Sequence, residues 1–74
     1  MRIKAGTKCR VVADSMNNFN PGDIVVALEE DNVPFCCLLE NYDPNKSIGN
    51  YSTDLIFALY DFELEALDDD RTEK

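Results

Sequence analysis

The stretch FNPGDIVVALEEDNVPFCCLLENYD, residues 19–43, decides the fold. It sets two apolar runs, Ile24 onward and Val33 onward, on either side of a polar Glu30-Asp31-Asn32 connection. Side chains along an extended chain alternate between faces. Ile24, Val26 and Leu28 therefore share one face of the first run, and Val25, Ala27 and Glu29 the other. In the second run Phe35, Cys37 and Leu39 oppose Cys36, Leu38 and Glu40. Asparagine tolerates positive φ, so the connection suits a hairpin. Pro34 falls at the strand start, where a missing N–H does least harm.

Both strands are thus apolar on two faces. The sequence assigns one face to the core. The other carries Val25, Ala27, Cys36 and Leu38, with Ile56 and Ala58 as candidate companions, and a single-layer sheet would expose it. Small proteins rarely leave such a patch bare. Three outcomes stay open: loops of a curled barrel cover it, a second copy covers it, or another protein docks there.

Upstream, Cys9 and Val11 alternate with Lys8 and Arg10, the pattern of a half-buried strand. A loop rich in Asp, Ser, Asn, Pro and Gly follows over 14–23. Met16 and Phe19, its large apolar residues, are expected to fold back on the core edge. Downstream of the hairpin, residues 42–50 read as another loop. Residues 53–61 then read as a strand with Leu55, Phe57 and Leu59 on one side, or as a short helical turn, because ALYDFE has little β-branching. FELEAL reads as a last strand with Phe62, Leu64 and Ala66 inward and Glu63 and Glu65 outward. Residues 68–74 form an acidic tail without an apolar residue, expected to be disordered. The expectation is an all-β fold, a small β-barrel of four to five antiparallel strands in one domain over residues 1–67.

The bulk numbers limit function. A chain of 74 residues holds one domain and buries about 60% of its unfolded surface, leaving little room for an internal cavity. The formal net charge is -8, from 7 basic and 15 acidic residues. Four of the basic residues are Arg2, Lys4, Lys8 and Arg10, so the chain beyond residue 10 is strongly negative. That charge opposes phosphate-backbone binding and steers basic partners inward. Three cysteines, Cys9, Cys36 and Cys37, make a poor disulfide framework and read as buried thiols in a reducing compartment. No apolar run suits a signal peptide or a membrane span. Two Asn-x-Ser sequons, at Asn45 and Asn50, are taken as chance. The expected location is cytoplasmic.

The order GTKCRVV, then FNPGDIVVAL, then a hairpin partner, then DFELEAL resembles small SH3-like barrels, in particular the short SH3-like proteins encoded by tailed bacteriophages. Phe19, Gly22, Asp23, Val25 and Ala27 correspond to an aromatic-Gly-Asp-strand motif, and Phe62, Leu64, Glu65 and Leu67 to a closing strand, over roughly residues 6 to 67. The resemblance implies a viral protein acting in its host's cytoplasm.

Catalytic machinery is not expected. The chain has no histidine and only three glycines, which leaves neither the usual general base nor a phosphate loop. Adjacent Cys36-Cys37 lacks zinc spacing. No enzyme, cofactor or metal is expected. The leading functional expectation is a non-catalytic protein-binding module that modulates or inhibits a host protein. Phe19, Tyr42 and Tyr51 are its candidate anchors, and Glu29, Glu30 and Asp31 its candidate rim charges. One alternative is an acidic nucleic-acid mimic that blocks a DNA- or RNA-binding protein. Another is a structural protein that self-associates through the second sheet face.

Overall fold

The computed structural model describes residues 3–67; the tail expected over 68–74 lies outside them. Five strands form one antiparallel sheet: β1 (Lys8–Val11), β2 (Ile24–Ala27), β3 (Phe35–Leu38), β4 (Phe57–Ala58) and β5 (Leu64–Ala66). Their order is β4-β3-β2-β1-β5. Short 3-10 turns occupy Leu39–Asn41, Ile48–Asn50 and Asp61–Glu63. The all-β expectation holds. β4 and β5 lie at opposite edges and do not pair among the described residues, so the sheet is open where a barrel would close. No helix among the described residues is long and apolar enough to cross a membrane.

The register fixes the faces. Val25 pairs with Leu38, Val26 with Cys37 and Ala27 with Cys36. Cys9 pairs with Val25 on the other side of β2. One face therefore gathers Cys9, Val11, Val25, Ala27, Cys36 and Leu64, and Ile3, Phe19 and Leu59 close over it. This is the hydrophobic core. The assignment made from sequence is reversed: the face expected to need outside cover is the main core. Alternation gives the parity of a strand but not which parity packs inward.

The opposite face carries Lys8 and Arg10 from β1, Val26 from β2 and Cys37 from β3. Arg10 pairs with Glu65 across β1 and β5, and their charged groups form an exposed ion pair. Val26 and Cys37 are nonetheless fully buried. The chain between β3 and β4 reaches this face. Lys46, from that segment, is near enough to the Cys37 thiol to oppose the upward pull of burial on its pKa. The Lys46 ammonium sits 4.9 Å from the ring centroid of Tyr51, which is itself buried. Both faces are thus internal at Val25, Val26 and Ala27 of β2 and at Cys36 and Cys37 of β3, which is why those positions lack polar alternation.

Two buried carboxylates organise the remaining backbone. Asp14 accepts the N–H groups of Met16 at 3.0 Å through Oδ1, and of Asn18 and Phe19, each at 2.9 Å, through Oδ2. Those bonds wrap the 14–19 loop and seat Phe19 edge-on against Phe57, with centroids 5.6 Å apart. Met16 does not fold back as expected; it is 71% exposed, because the loop turns its backbone and not its side chain toward Asp14. Glu63 accepts Ser15 N–H at 2.8 Å through Oε2 and Tyr60 N–H at 3.0 Å through Oε1. It ties the same loop to the last 3-10 turn.

The loop returns to β2 through Asn20-Pro21-Gly22-Asp23. Asp23 N–H reaches Asn20 C=O at 3.0 Å, and Gly22 has φ +98°. Proline second and a positive-φ glycine third is the type II turn pattern. A Cβ at Gly22 would touch nothing within 4 Å, so the cost of Gly22→Ala is conformational alone. It is expected to lower unfolding free energy by about 1 kcal/mol, read from the urea midpoint at unchanged slope.

Candidate functional site

Strand alternation would turn Phe62 inward and Glu63 outward. The 3-10 turn at Asp61–Glu63 reverses this, because its three-residue period breaks the two-residue one. Glu63 is 4% exposed and engaged by backbone donors, and Leu64 enters the core. Phe62 is left 75% exposed, the most exposed large apolar residue among those described. Its ring stacks on Tyr60, with centroids 5.1 Å apart and planes within 8°. Tyr60 is 48% exposed. The pair forms an aromatic ledge at the surface.

Hydrogen bonds bring two other segments to this turn. Asp61 N–H donates to Asn32 C=O at 3.0 Å, which sets the ledge beside the β2–β3 connection and its exposed Val33. Val12 N–H donates to Glu63 C=O at 2.8 Å, and Ser15 N–H to the Glu63 carboxylate. Val12 and Met16, both exposed, lie on the segment so bonded. Three segments that carry exposed apolar residues are therefore hydrogen-bonded together at one turn. A converging exposed apolar patch on a small domain marks an interaction surface.

The residues singled out from the sequence divide. Glu29, Glu30 and Asp31 lie on the β2–β3 connection, whose Asn32 is bonded to the ledge turn. The Glu29 carboxylate accepts Phe35 N–H at 3.2 Å. Asp31 Oδ1 accepts Asn32 N–H at 2.6 Å and Val33 N–H at 3.2 Å, while its backbone exchanges bonds with Ile3. Phe19 and Tyr51 are internal, 7% and 5% exposed. The Tyr51 hydroxyl donates to Asp43 C=O at 3.0 Å and accepts Asp43 N–H at 2.8 Å, which braces the loop from within. Tyr42 is half-buried beside Gly6, where an added Cβ would lie 3.9 Å from its hydroxyl. The structure brings none of these three rings to the ledge. Sequence reasoning placed Phe62 in the core; the scarcity of β-branching in ALYDFE was the signal for a turn.

Nucleophilic chemistry finds no support in the thiols. Cys9, Cys36 and Cys37 are free and buried. Burial raises all three pKa values, that of Cys36 to about 12, so each is held as the unreactive thiol. Among the described residues no group of three or more acidic, Cys or His side chains is placed to hold a metal ion. A shallow groove of about 410 Å³ runs between Asp23, Ile24, Leu38, Leu39 and Glu40. Asp23 there is engaged by Asn20 N–H at 2.9 Å. No protein-family model matches this chain, and no curated protein or solved structure matches it significantly.

Proposed function

We propose that the chain is a non-catalytic protein-binding module, built as an SH3-like small barrel, that docks another protein on the Tyr60–Phe62 ledge. The observation that carries this reading is the exposure of Phe62. Covering such a ring on binding contributes about 2 kcal/mol, and aromatic side chains dominate interface hot spots. Its stacking on Tyr60 holds the ring in place, which lowers the entropy lost on docking. The small-barrel part draws support from the position of β1 between β2 and β5. Bringing the last strand back beside the first is the step that curls a meander toward closure. Covered faces on β2 and β3 support the same curvature.

The test is retention of a protein from a lysate of the native cells by immobilised wild-type chain and by Phe62→Ser. The wild-type chain is expected to hold a partner through a high-salt wash. Phe62→Ser is expected to weaken that binding at least tenfold at unchanged Tm, since the ring makes no core contact. Equal retention by both forms would overturn the ledge as the docking site.

A further inference from the structure

We propose that the groove between the start of β2 and the end of β3 is a second docking site, which takes an arginine or lysine side chain from a basic segment of a partner protein. It includes neither Tyr60 nor Phe62, so it stands or falls apart from the ledge. Val25 pairs with Leu38, which sets these two strand ends side by side. The groove there has a volume of about 410 Å³. Ile24, Leu38 and Leu39 form its apolar floor; the first two are half-buried and Leu39 is exposed. Asp23 and Glu40 supply its carboxylates, one just before β2 and the other in the 3-10 turn after β3.

The charge of this groove is unmatched. Asp23 Oδ2 accepts Asn20 N–H at 2.9 Å, a bond that orients the carboxylate and leaves its charge. Glu40 is exposed, on a turn closed by Tyr42 N–H donating to Leu39 C=O at 3.1 Å. Among the described residues neither carboxylate meets a cation within ion-pair distance. Arg10, which pairs with Ile24 across β1 and β2, is held by Glu65 instead. Two like charges on one groove repel each other, and a cation set between them is attracted by both. The floor decides which kind of cation. A bare divalent ion takes about six or more oxygen ligands, which two carboxylates beside three aliphatic side chains do not supply. A basic side chain instead lays its methylenes on apolar surface and keeps its charged head in the polar rim. A second copy of this chain brings a net charge of -8, and a nucleic acid brings phosphates, so the two carboxylates disfavour both.

The test uses the intact chain and two short peptides. One alternates arginine with glycine and serine; the other has citrulline, the same stem without the charge, at every arginine position. Nuclear magnetic resonance follows the backbone amide signals. The arginine peptide is expected to move the signals of Asp23, Ile24 and residues 38–40 saturably, and the citrulline peptide to leave them in place. Asp23→Asn, which keeps an acceptor for Asn20 N–H, and Glu40→Gln are each expected to weaken binding about threefold and to flatten its salt dependence. Asp54→Asn, which removes a carboxylate outside the groove, is expected to leave the affinity unchanged. Equal shifts from the citrulline peptide would overturn the cation. Equal weakening by Asp54→Asn, or arginine-induced shifts with the groove signals unmoved, would overturn the site. The Phe62→Ser lysate comparison decides the ledge separately.

Discussion

Asp14→Ala is expected to cost about 3 kcal/mol of stability. Three backbone N–H groups, from Met16, Asn18 and Phe19, lose their shared acceptor at once. Hydrogen bonds to a charged group contribute more than neutral ones, and a buried donor left without a partner carries its full desolvation penalty. Phe19 N–H is buried, so water does not readily replace the carboxylate there. The loss also unseats the Phe19 ring from Phe57 and opens the core edge. A domain of this size has only a few kcal/mol in hand, so the variant is expected to be largely unfolded at 37 °C. Urea denaturation and the dispersion of the Phe57 ring signals measure it. A change below 1 kcal/mol would show that the loop holds its shape by chain geometry alone.

Raising the pH is expected to remove up to about 4 kcal/mol between pH 9 and pH 12. The Cys36 thiol is pushed from an ordinary value of 9.0 to about 12, first by burial and then by the neighbouring Cys9, Cys37 and Glu29 groups. Below pH 9 the thiol is protonated in both folded and unfolded chains, and stability does not depend on it. Above pH 9 the unfolded chain releases this proton and the folded chain holds it. Stability therefore falls by about 1.4 kcal/mol for each pH unit until the folded thiol also ionises. Cys9 and Cys37, whose pKa values are also raised, act in the same direction. Urea midpoints at pH 8 and pH 10.5 measure the loss. Cys36→Ala removes the titrating group, so its midpoint is expected to fall less over that interval, though it starts lower because of the smaller side chain. A wild-type midpoint unmoved by pH would mean that the thiol has access to water.

The strands were legible in the sequence because period-two spacing is a strong local signal. Cys9 and Val11 point inward between Lys8 and Arg10 as the spacing requires, and the hairpin from β2 to β3 lies where its two apolar runs predict. The Pro21-Gly22 turn was equally plain. The choice of core face was not, because it depends on what arrives from elsewhere in the chain. Val26 and Cys37 are covered from outside the strands, and Lys46, which acts on Cys37, belongs to a loop with no periodicity. Tyr51 looked like a surface anchor for the same reason: its partner is the backbone of Asp43, a tertiary contact. β4 shrank to two residues, since the residue opposite Leu59 is Pro34, whose C=O accepts Leu59 N–H at 3.2 Å but which has no N–H to return. At the ledge the misreading was one of phase. Acidic Glu63 points inward because backbone donors from two segments meet there, and nothing in FELEAL records those donors.

β5 lies against β1, so residues 64–66 must find residues 9–11 across nearly the whole chain. During synthesis β1 emerges early and has β2 to pair with, but its other edge stays open until β5 follows. Glu63, which fastens the 14–19 loop, arrives equally late. Neither the sheet nor that loop can be completed on a growing chain before β5 clears the ribosome. The ledge therefore takes shape only when the 60–63 turn closes on partners from residues 12–15 and 32, far from it in sequence.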